Sequence, residues 1–178
     1  MLGDNILFGS GLPETLLKAF QNVKLSKIFI QTSTNPQDYG VVYFNKNTMK
    51  PKKIIEKPKN PKSNYISIGL YIYTNDVIER ARKLNKSKRN EFEITDLNNE
   101  YVKENLLELI DIGRGIAWFD TGDVDRIMEA SNFINLIEKK QGNLIGCIEE
   151  VALKMKFISK NQFRLIVNSQ QKQLREHS

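Results

Sequence analysis

The segment Gly113–Gly122 constrains the fold most, because an apolar and aromatic run there ends abruptly in Asp120 and a turn-forming Thr-Gly pair. Such a run is typical of a short buried strand that brings Asp120 to its end. In open α/β sheets ligands gather at the carboxyl ends of strands, where a carboxylate can hold a hard cation or a ligand hydroxyl. An alternative stays open, since an acid at this place also caps a helix, and a helical pattern begins at Asp123.

A second candidate carboxylate, Asp4 in the pair Gly3–Asp4, lies near the start of the sequence, ahead of an apolar run from Ile6 to Phe8. If Leu2 is the last residue of a central strand, we expect most of that strand to be missing from the sequence. The alternative is an ordinary starting methionine followed by a local turn.

Strand patterns and helix patterns alternate through most of the sequence. Runs of β-branched and aromatic residues predict strands, and apolar residues spaced by three or four predict helices. The predicted strands are Ile28–Thr32, Tyr39–Phe44, Ile54–Pro58, Tyr65–Tyr73 and Leu106–Ile112, and the main helices are Leu12–Phe20, Asn75–Leu84 and Asp123–Gln141. This alternation indicates an α/β fold. We expect one α/β body over residues 1–141 and a helical extension over residues 142–178.

Two glycines and one strand end stand out as candidate binding positions. Gly69 lies inside the predicted central strand, where a glycine leaves room for something close to the backbone. Gly40 is either a turn residue or a point of close ligand approach. Glu56 and Lys57 end a strand that Pro58 breaks, and the period of two places them on opposite faces. They are either surface charges or a pair that binds a sugar hydroxyl and a phosphate.

The net charge of +6 suggests a partner but does not identify one. Lysines concentrate between Lys46 and Lys62, and further basic residues follow Lys154. Nucleic-acid binding is one hypothesis, although no helix-turn-helix or zinc pattern accompanies the lysines. Small anionic ligands, or plain solvation of a lysine-rich surface, explain the charge equally well. The role of Arg89 also has two interpretations: it is either a solvated cation or a guanidinium that binds a phosphate.

The rarest residues exclude several kinds of chemistry. Cys147 is the only cysteine and His177 the only histidine, which excludes internal disulfides, Cys-His nucleophiles and zinc clusters. Catalysis would therefore rest on carboxylates, lysine and arginine. No apolar run approaches the roughly 20 residues that cross a bilayer, and no signal peptide precedes Gly3. We expect a cytoplasmic protein with no membrane partner and no nucleic-acid partner.

Six short blocks occur in an order that identifies a family. Together, and with Glu129–Ile134 after them, they closely resemble glucose-1-phosphate thymidylyltransferase. The blocks are Leu2–Asn5, Tyr39–Val42, Glu56–Pro58, Gly69–Tyr71, Glu93–Asp96 and Trp118–Gly122. The resemblance covers all but about the last twenty residues. It implies that the sequence corresponds to the carboxyl-terminal part of such an enzyme and lacks its amino-terminal, nucleotide-binding half.

The resemblance also implies a fold and a reaction. The fold would be part of the mixed-sheet, Rossmann-like fold of nucleotide-diphospho-sugar transferases. The reaction would join dTTP and glucose 1-phosphate into dTDP-glucose and pyrophosphate, a Mg²⁺-dependent step in dTDP-rhamnose biosynthesis. Positioning and charge neutralisation, rather than covalent catalysis, would supply the rate. The family resemblance further implies a homo-oligomer.

The resemblance assigns roles to residues that match the family's motifs. The implied metal ligands are Asp4 and Asp120, which with Lys57 form the implied catalytic set. The implied substrate-binding residues are Gly40, Glu56 and Gly69 around the glucose, Trp118 beside it, and Lys57 and Arg89 at the sugar phosphate. Glu14 and Arg114 match a second, regulatory nucleotide site at a subunit interface.

Some positions depart from the family pattern, and these leave a second function open. Ser67-Ile68 precedes Gly69 where relatives have Val-Thr or Val-Pro, and Asn90 follows Arg89 where relatives have glycine. Without the amino-terminal half, we expect the chain to be inactive alone or to need a complementing piece. The alternative is a non-catalytic remnant that binds sugar phosphate or assembles with another subunit.

Overall fold

The computed structural model describes residues 1–21, 23–87 and 89–176 of the chain. The chain divides into two compact units, Met1–Ile127 and Met128–Ser178. The single histidine, His177, lies outside the described residues. The predicted domain boundary after Gln141 stays a prediction.

The first unit is a mixed α/β body, as the sequence predicted. Its elements are β1 (Asn5–Gly9), α1 (Leu12–Phe20), β2 (Ser26–Thr32), a 3₁₀ turn (Pro36–Asp38), β3 (Gly40–Phe44), β4 (Pro51–Glu56), β5 (Tyr65–Ile72), α2 (Val77–Arg82), α3 (Ile94–Lys103), β6 (Leu107–Asp111), β7 (Ile116–Asp120) and the start of α4 (Val124–Gln141). Five strands form one sheet in the order β4-β3-β5-β2-β6. Only the β2–β6 pair in it is parallel, which makes the sheet mixed.

The five-stranded sheet has an apolar core on each face. Along β2 the side chains alternate, so that Phe29 lies in one core while Ile28 and Ile30 lie in the other. Helix α1 covers the first core through Ala19, and α3 covers the second through Tyr101. Burying an isoleucine or phenylalanine side chain, as at Ile28 and Phe29, stabilises the fold by about 1.5–3 kcal/mol. Cores on both faces explain why β2 is apolar at three consecutive positions, Ile28 to Ile30, and β3 at Val41 and Val42.

A separate antiparallel pair, β1 with β7, was only half predicted. The sequence indicated β7, but the apolar run from Ile6 to Phe8 was not predicted to be a strand, so β1 was missed. The pairing aligns Asn5 with Asp120 and Gly9 with Ile116. A Cβ atom on Gly9 would lie 2.2 Å from the carbonyl oxygen of Gly115, so only glycine permits this close approach. The backbone N–H of Leu2 also donates to the carbonyl oxygen of Gly69, at 2.8 Å, which ties the start of the chain to β5.

The second unit is helical, as predicted for the end of the chain. It contains the remainder of α4, α5 (Ile148–Lys154) and α6 (Lys160–Glu176), and α5 contacts α6. Gly142 follows α4 with a φ of 69°, and its N–H donates to the carbonyl oxygen of Glu138 at 2.8 Å. This glycine therefore ends the helix, directly after the predicted last residue Gln141. None of the helices in the described part of the chain combines the length and hydrophobicity that a membrane span requires.

Candidate active site

Most of the residues singled out in the sequence meet at one cavity of about 160 Å³ in the first unit. It is lined by residues from β1, β3, β4, β5 and β7, from the turns beside them, and from the start of α3. The predicted site residues among its lining are Asp4, Gly40, Glu56, Lys57, Gly69, Trp118 and Asp120.

The β1–β7 pair brings the two predicted metal ligands together. Thr121 follows β7, and both its backbone N–H (2.7 Å) and its hydroxyl (2.8 Å) donate to the carbonyl oxygen of Asp4. A Cβ atom placed on Gly122 would lie 3.2 Å from Oδ1 of Asp120 and 3.9 Å from Oδ2 of Asp4. Both carboxylates therefore flank the same point, as the sequence predicted.

Asn5 connects the carboxylate of Asp4 to two walls of the cavity, and the sequence analysis missed it as a site residue. Its Nδ2 donates to Oδ1 of Asp4 at 2.7 Å. Its Oδ1 accepts the backbone N–H of Gly69 at 3.1 Å and the indole Nε1–H of Trp118 at 2.6 Å. Asn5 is only 7% exposed, so these partners satisfy a buried amide. The available signal was a polar residue directly before the apolar run of Ile6 to Phe8.

Gly69 leaves room for the protein's own amide. A Cβ atom at this position would lie 2.6 Å from Oδ1 of Asn5 and 2.7 Å from its Nδ2. The prediction that Gly69 makes space for a close neighbour is confirmed, and in the structure that neighbour is Asn5.

Glu56 lies beside Gly40 at the opposite wall, because β3 and β4 pair these two residues directly. The Oε2 atom of Glu56 accepts the hydroxyl of Thr95 at 2.5 Å. A Cβ atom on Gly40 would lie 3.1 Å from Oγ1 of Thr95 and 3.3 Å from Oε2 of Glu56. The absence of a side chain at Gly40 therefore keeps the approach to this carboxylate open.

Lys57 departs from the strand geometry that the sequence suggested. Strand β4 ends at Glu56, and Lys57 has a φ of 42°, in the left-handed region. Its N–H donates to the carbonyl oxygen of Tyr39 at 3.0 Å. The prediction that Glu56 and Lys57 take opposite faces is wrong, since alternation requires extended backbone and both residues line the same cavity.

Arg126, in the first turn of α4, binds a predicted metal ligand, and sequence reasoning missed it. Its Nη1 lies 2.5 Å from Oδ2 of Asp120, its Nε 3.1 Å from Asp123 and its Nη2 3.6 Å from Asp38. The guanidinium also lies over the ring of Tyr39, 5.4 Å from its centroid. Burial alone would lower the pKa of Arg126, but the charges of Tyr39, Asp120 and Asp123 raise it overall.

Aromatic rings complete the cavity wall. Tyr39 and Trp118 meet edge to face with their centroids 5.1 Å apart. Burial raises the pKa of Tyr71 above its usual value, and the charges of Glu56 and Asp4 raise it further, against the lowering effect of the nearby Ser67 hydroxyl. The Tyr71 hydroxyl is therefore neutral at physiological pH and can donate a hydrogen bond.

Three predicted residues do not line the cavity. Arg89 lies 2.9 Å from Glu91 and 3.5 Å from Glu93, with which it forms ion pairs. Glu14 lies in the first turn of α1, and Arg114 lies between β6 and β7. Their roles at the sugar phosphate and in regulation stay predictions.

The donor set at the cavity fits a hard divalent cation. Asp4 and Asp120 supply carboxylate oxygens, and Mg²⁺ typically takes one or two protein carboxylates and keeps several waters. Among the described residues, no group of three or more acidic, histidine or cysteine side chains could hold a metal ion. A cation here would therefore rely on two carboxylates, water and a ligand phosphate.

Comparison with known proteins shows that this chain is similar to nucleotidyltransferases. A family model described as nucleotidyl transferase matches residues 1–136. A glucose-1-phosphate thymidylyltransferase of Mycobacterium tuberculosis is 45% identical over 162 residues, which are 91% of this chain and 56% of that protein. The enzyme of the same name from Neisseria meningitidis is 38% identical over 89% of this chain and 55% of its own length. The chain thus spans about half the length of the curated relatives it matches.

Solved structures agree with these relatives. A Bacillus anthracis protein assigned as a glucose-1-phosphate thymidylyltransferase, solved in complex with a sucrose, matches with a TM-score of 0.64 and 34% identity over 75% of this chain and 52% of that one. A UDP-glucose pyrophosphorylase complexed with UDP-glucose matches with a TM-score of 0.65 and 25% identity, over 74% of this chain and 53% of that one. The fold expected from the sequence is thereby confirmed.

Proposed function

Because the chain belongs to the nucleotidyl transferase family, we propose that it forms the sugar-phosphate and metal side of a glucose-1-phosphate thymidylyltransferase. The full reaction joins dTTP and glucose 1-phosphate into dTDP-glucose and pyrophosphate. A phosphate oxygen of the sugar attacks the α-phosphorus of dTTP, a new P–O bond forms, and the bond to the β-phosphate breaks. The product would supply dTDP-rhamnose biosynthesis in the cytoplasm.

One observation carries the proposal: Asp4 and Asp120 flank one point at a cavity that also exposes Glu56 beside Gly40. A carboxylate accepts hydrogen bonds from sugar hydroxyls, and the missing side chain at Gly40 gives a ring access to it. The two aspartates would hold Mg²⁺. When bound, the cation would neutralise charge on the phosphates that the reaction brings together.

The remaining cavity residues would position the substrate. Lys57 can meet the sugar phosphate as a point charge, and its left-handed backbone turns it out of the strand at the cavity edge. Trp118 offers an apolar ring face beside the sugar while its N–H is held by Asn5. Arg89 would have to leave Glu91 and Glu93 before it could bind a phosphate.

The decisive experiment measures pyrophosphate release from dTTP and glucose 1-phosphate with Mg²⁺. It is run with the 178-residue chain alone and with the unmatched part of the Mycobacterium tuberculosis relative added as a separate polypeptide. We expect turnover only in the second condition, because the chain spans about half of that relative. Absence of turnover in both conditions would overturn the enzymatic role of this chain.

Asp120→Asn and Asp125→Asn are matched variants for this assay. Both remove one negative charge, but only Asp120 lines the cavity, whereas Asp125 is an exposed residue of α4. Asp120→Asn should abolish the reconstituted turnover and Asp125→Asn should leave it unchanged. Equal losses in both variants would contradict the assignment of the site.

The second candidate function is a non-catalytic module that binds sugar phosphate, and the position of Glu56, Gly40 and Lys57 within this chain favours it. Calorimetric titration with glucose 1-phosphate tests it directly. Binding together with failed complementation would support this module, and absence of binding would exclude it. We further propose a homo-oligomer, which size-exclusion chromatography with light scattering would test.

A further inference from the structure

We infer that Arg126 is a built-in competitor for the divalent cation, because its guanidinium occupies the Asp120 carboxylate and must release it before the metal can bind with full affinity. This inference rests on the proposed metal site formed by Asp4 and Asp120. It adds a residue that sets the affinity of that site.

The contacts of Asp120 carry the first step of the argument. Its Oδ2 atom faces Nη1 of Arg126 at 2.5 Å, and its Oδ1 atom accepts the N–H of Gly122 at 3.1 Å. Both oxygens of the proposed ligand are therefore already engaged. Of the two contacts, only the one with Arg126 brings a full positive charge to the position where a cation would bind.

Charge supplies the second step. A divalent cation bound by Asp4 and Asp120 would lie close to a guanidinium that holds the same carboxylate, and two positive charges at this separation repel each other. Arg126 is 32% exposed, so water screens this repulsion only in part. The ion pair with Asp120 therefore opposes metal binding for as long as it persists.

Two neighbouring acids can pair with the guanidinium after it leaves Asp120. Asp123 lies 3.1 Å from Nε of Arg126, and Asp38 lies 3.6 Å from Nη2. The Tyr39 ring supports the guanidinium from one side. A change of side-chain rotamer can thus move Arg126 from Asp120 toward Asp38 and Asp123 without leaving it unpaired.

The test measures Mn²⁺ binding to the 178-residue chain, with the concentration of free Mn²⁺ monitored by electron paramagnetic resonance. Arg126→Met removes the guanidinium but keeps an apolar stem for Tyr39, and Arg126→Gln is a second variant with a different stem. Arg82→Met is the matched control, because Arg82 is an exposed residue of α2 away from the cavity. Circular dichroism verifies the fold of each variant.

We expect Arg126→Met and Arg126→Gln to bind Mn²⁺ about tenfold more tightly than the unmodified chain, the scale of effect that one charge exerts on a neighbouring carboxylate. Arg82→Met should bind as the unmodified chain does. Adding Asp120→Asn to Arg126→Met should remove the gain, since the freed carboxylate is then absent.

Unchanged or weaker binding in the folded Arg126 variants would overturn the inference. If the separate variant Asp4→Asn weakens Mn²⁺ binding in that case, the proposed metal site is supported and only the role of Arg126 as a competitor is wrong. If no variant binds Mn²⁺, both the metal site and the competitor are wrong. The complementation assay then decides the proposed function separately.

Discussion

The indole N–H of Trp118 donates a 2.6 Å hydrogen bond to Oδ1 of Asn5, a residue 113 positions away in the sequence. The same amide holds Oδ1 of Asp4 and the backbone N–H of Gly69. One small side chain thus joins a proposed metal ligand, the aromatic wall and the central strand. Removing the Asn5 side chain should therefore reduce both the stability of the first unit and its affinity for ligands.

Asn5→Ala should destabilise the first unit by about 2–3 kcal/mol, because the buried N–H of Gly69 and the partly buried indole N–H of Trp118 lose their acceptor. Urea unfolding followed by the fluorescence of Trp118, the only tryptophan, measures this directly. Asn85→Ala is the control, since Asn85 is exposed. A similar loss in both variants would contradict the role given to Asn5.

Gly69→Ala should cost about 1–3 kcal/mol of unfolding free energy, because the added methyl group would overlap the amide of Asn5 at 2.6 Å. Gly3→Ala introduces the same methyl group where no atom lies within 4 Å. We expect it to change stability by less than about 0.5 kcal/mol. Thermal unfolding of the two variants compares them, and the opposite order would refute the steric argument.

Asp4→Asn should weaken Mn²⁺ binding by about tenfold or more, because it removes one of two carboxylates that flank the same point. Asp111→Asn is a suitable control, since Asp111 is exposed at the end of β6. Metal titration by calorimetry measures both. Retention of full affinity in Asp4→Asn would exclude this carboxylate as a ligand.

Glu56→Gln should reduce the affinity for glucose 1-phosphate by about 1.5–3 kcal/mol, the usual contribution of a hydrogen bond to a charged group. The amide also replaces one acceptor oxygen of the carboxylate with a donor. Quenching of Trp118 fluorescence during titration is a direct readout, because Trp118 lines the same cavity. Glu79→Gln, an exposed position on α2, should bind normally.

Asp76→Asn should reduce stability at neutral pH but not in strong acid. Hydrogen bonds from Thr74 and Arg80 lower the pKa of Asp76 to about 2, and Tyr101 adds a third. A lowered folded-state pKa stabilises the fold above the ordinary aspartate pKa near 4, and this contribution is lost as the pH falls toward 2. Urea midpoints of the two proteins should therefore converge between about pH 4 and pH 2. A constant difference over that range would argue against the shifted pKa.

Local sequence patterns predicted most of the strands and helices, whereas the meeting of Asp4 and Asp120 was implied by the family resemblance. Helix α1 has the predicted bounds, and most predicted strands end within two residues of the observed ones. These elements have strong apolar periodicity, which depends on near neighbours alone. The meeting of the two acids came from family motifs, and the β1–β7 pairing supplies its physical cause.

The parts that were missed depend on contacts between distant residues. Nothing near Asn5 in sequence shows that its amide will face Gly69 and Trp118. Arg126 reads as a solvated helix residue until Asp38 and Asp120 are brought beside it. The left-handed backbone of Lys57 accompanies a hydrogen bond from its N–H to the carbonyl oxygen of Tyr39, which lies on another part of the chain.

The pairing of β1 with β7 also has a consequence for how the protein folds. Strands so far apart in the chain meet only after a long loop has closed, and such contacts slow folding. The cavity that this pair lines together with β3, β4 and β5 should consequently form only once the two ends of the first unit have met. In stopped-flow refolding, recovery of Trp118 fluorescence should therefore report the closure of this long loop.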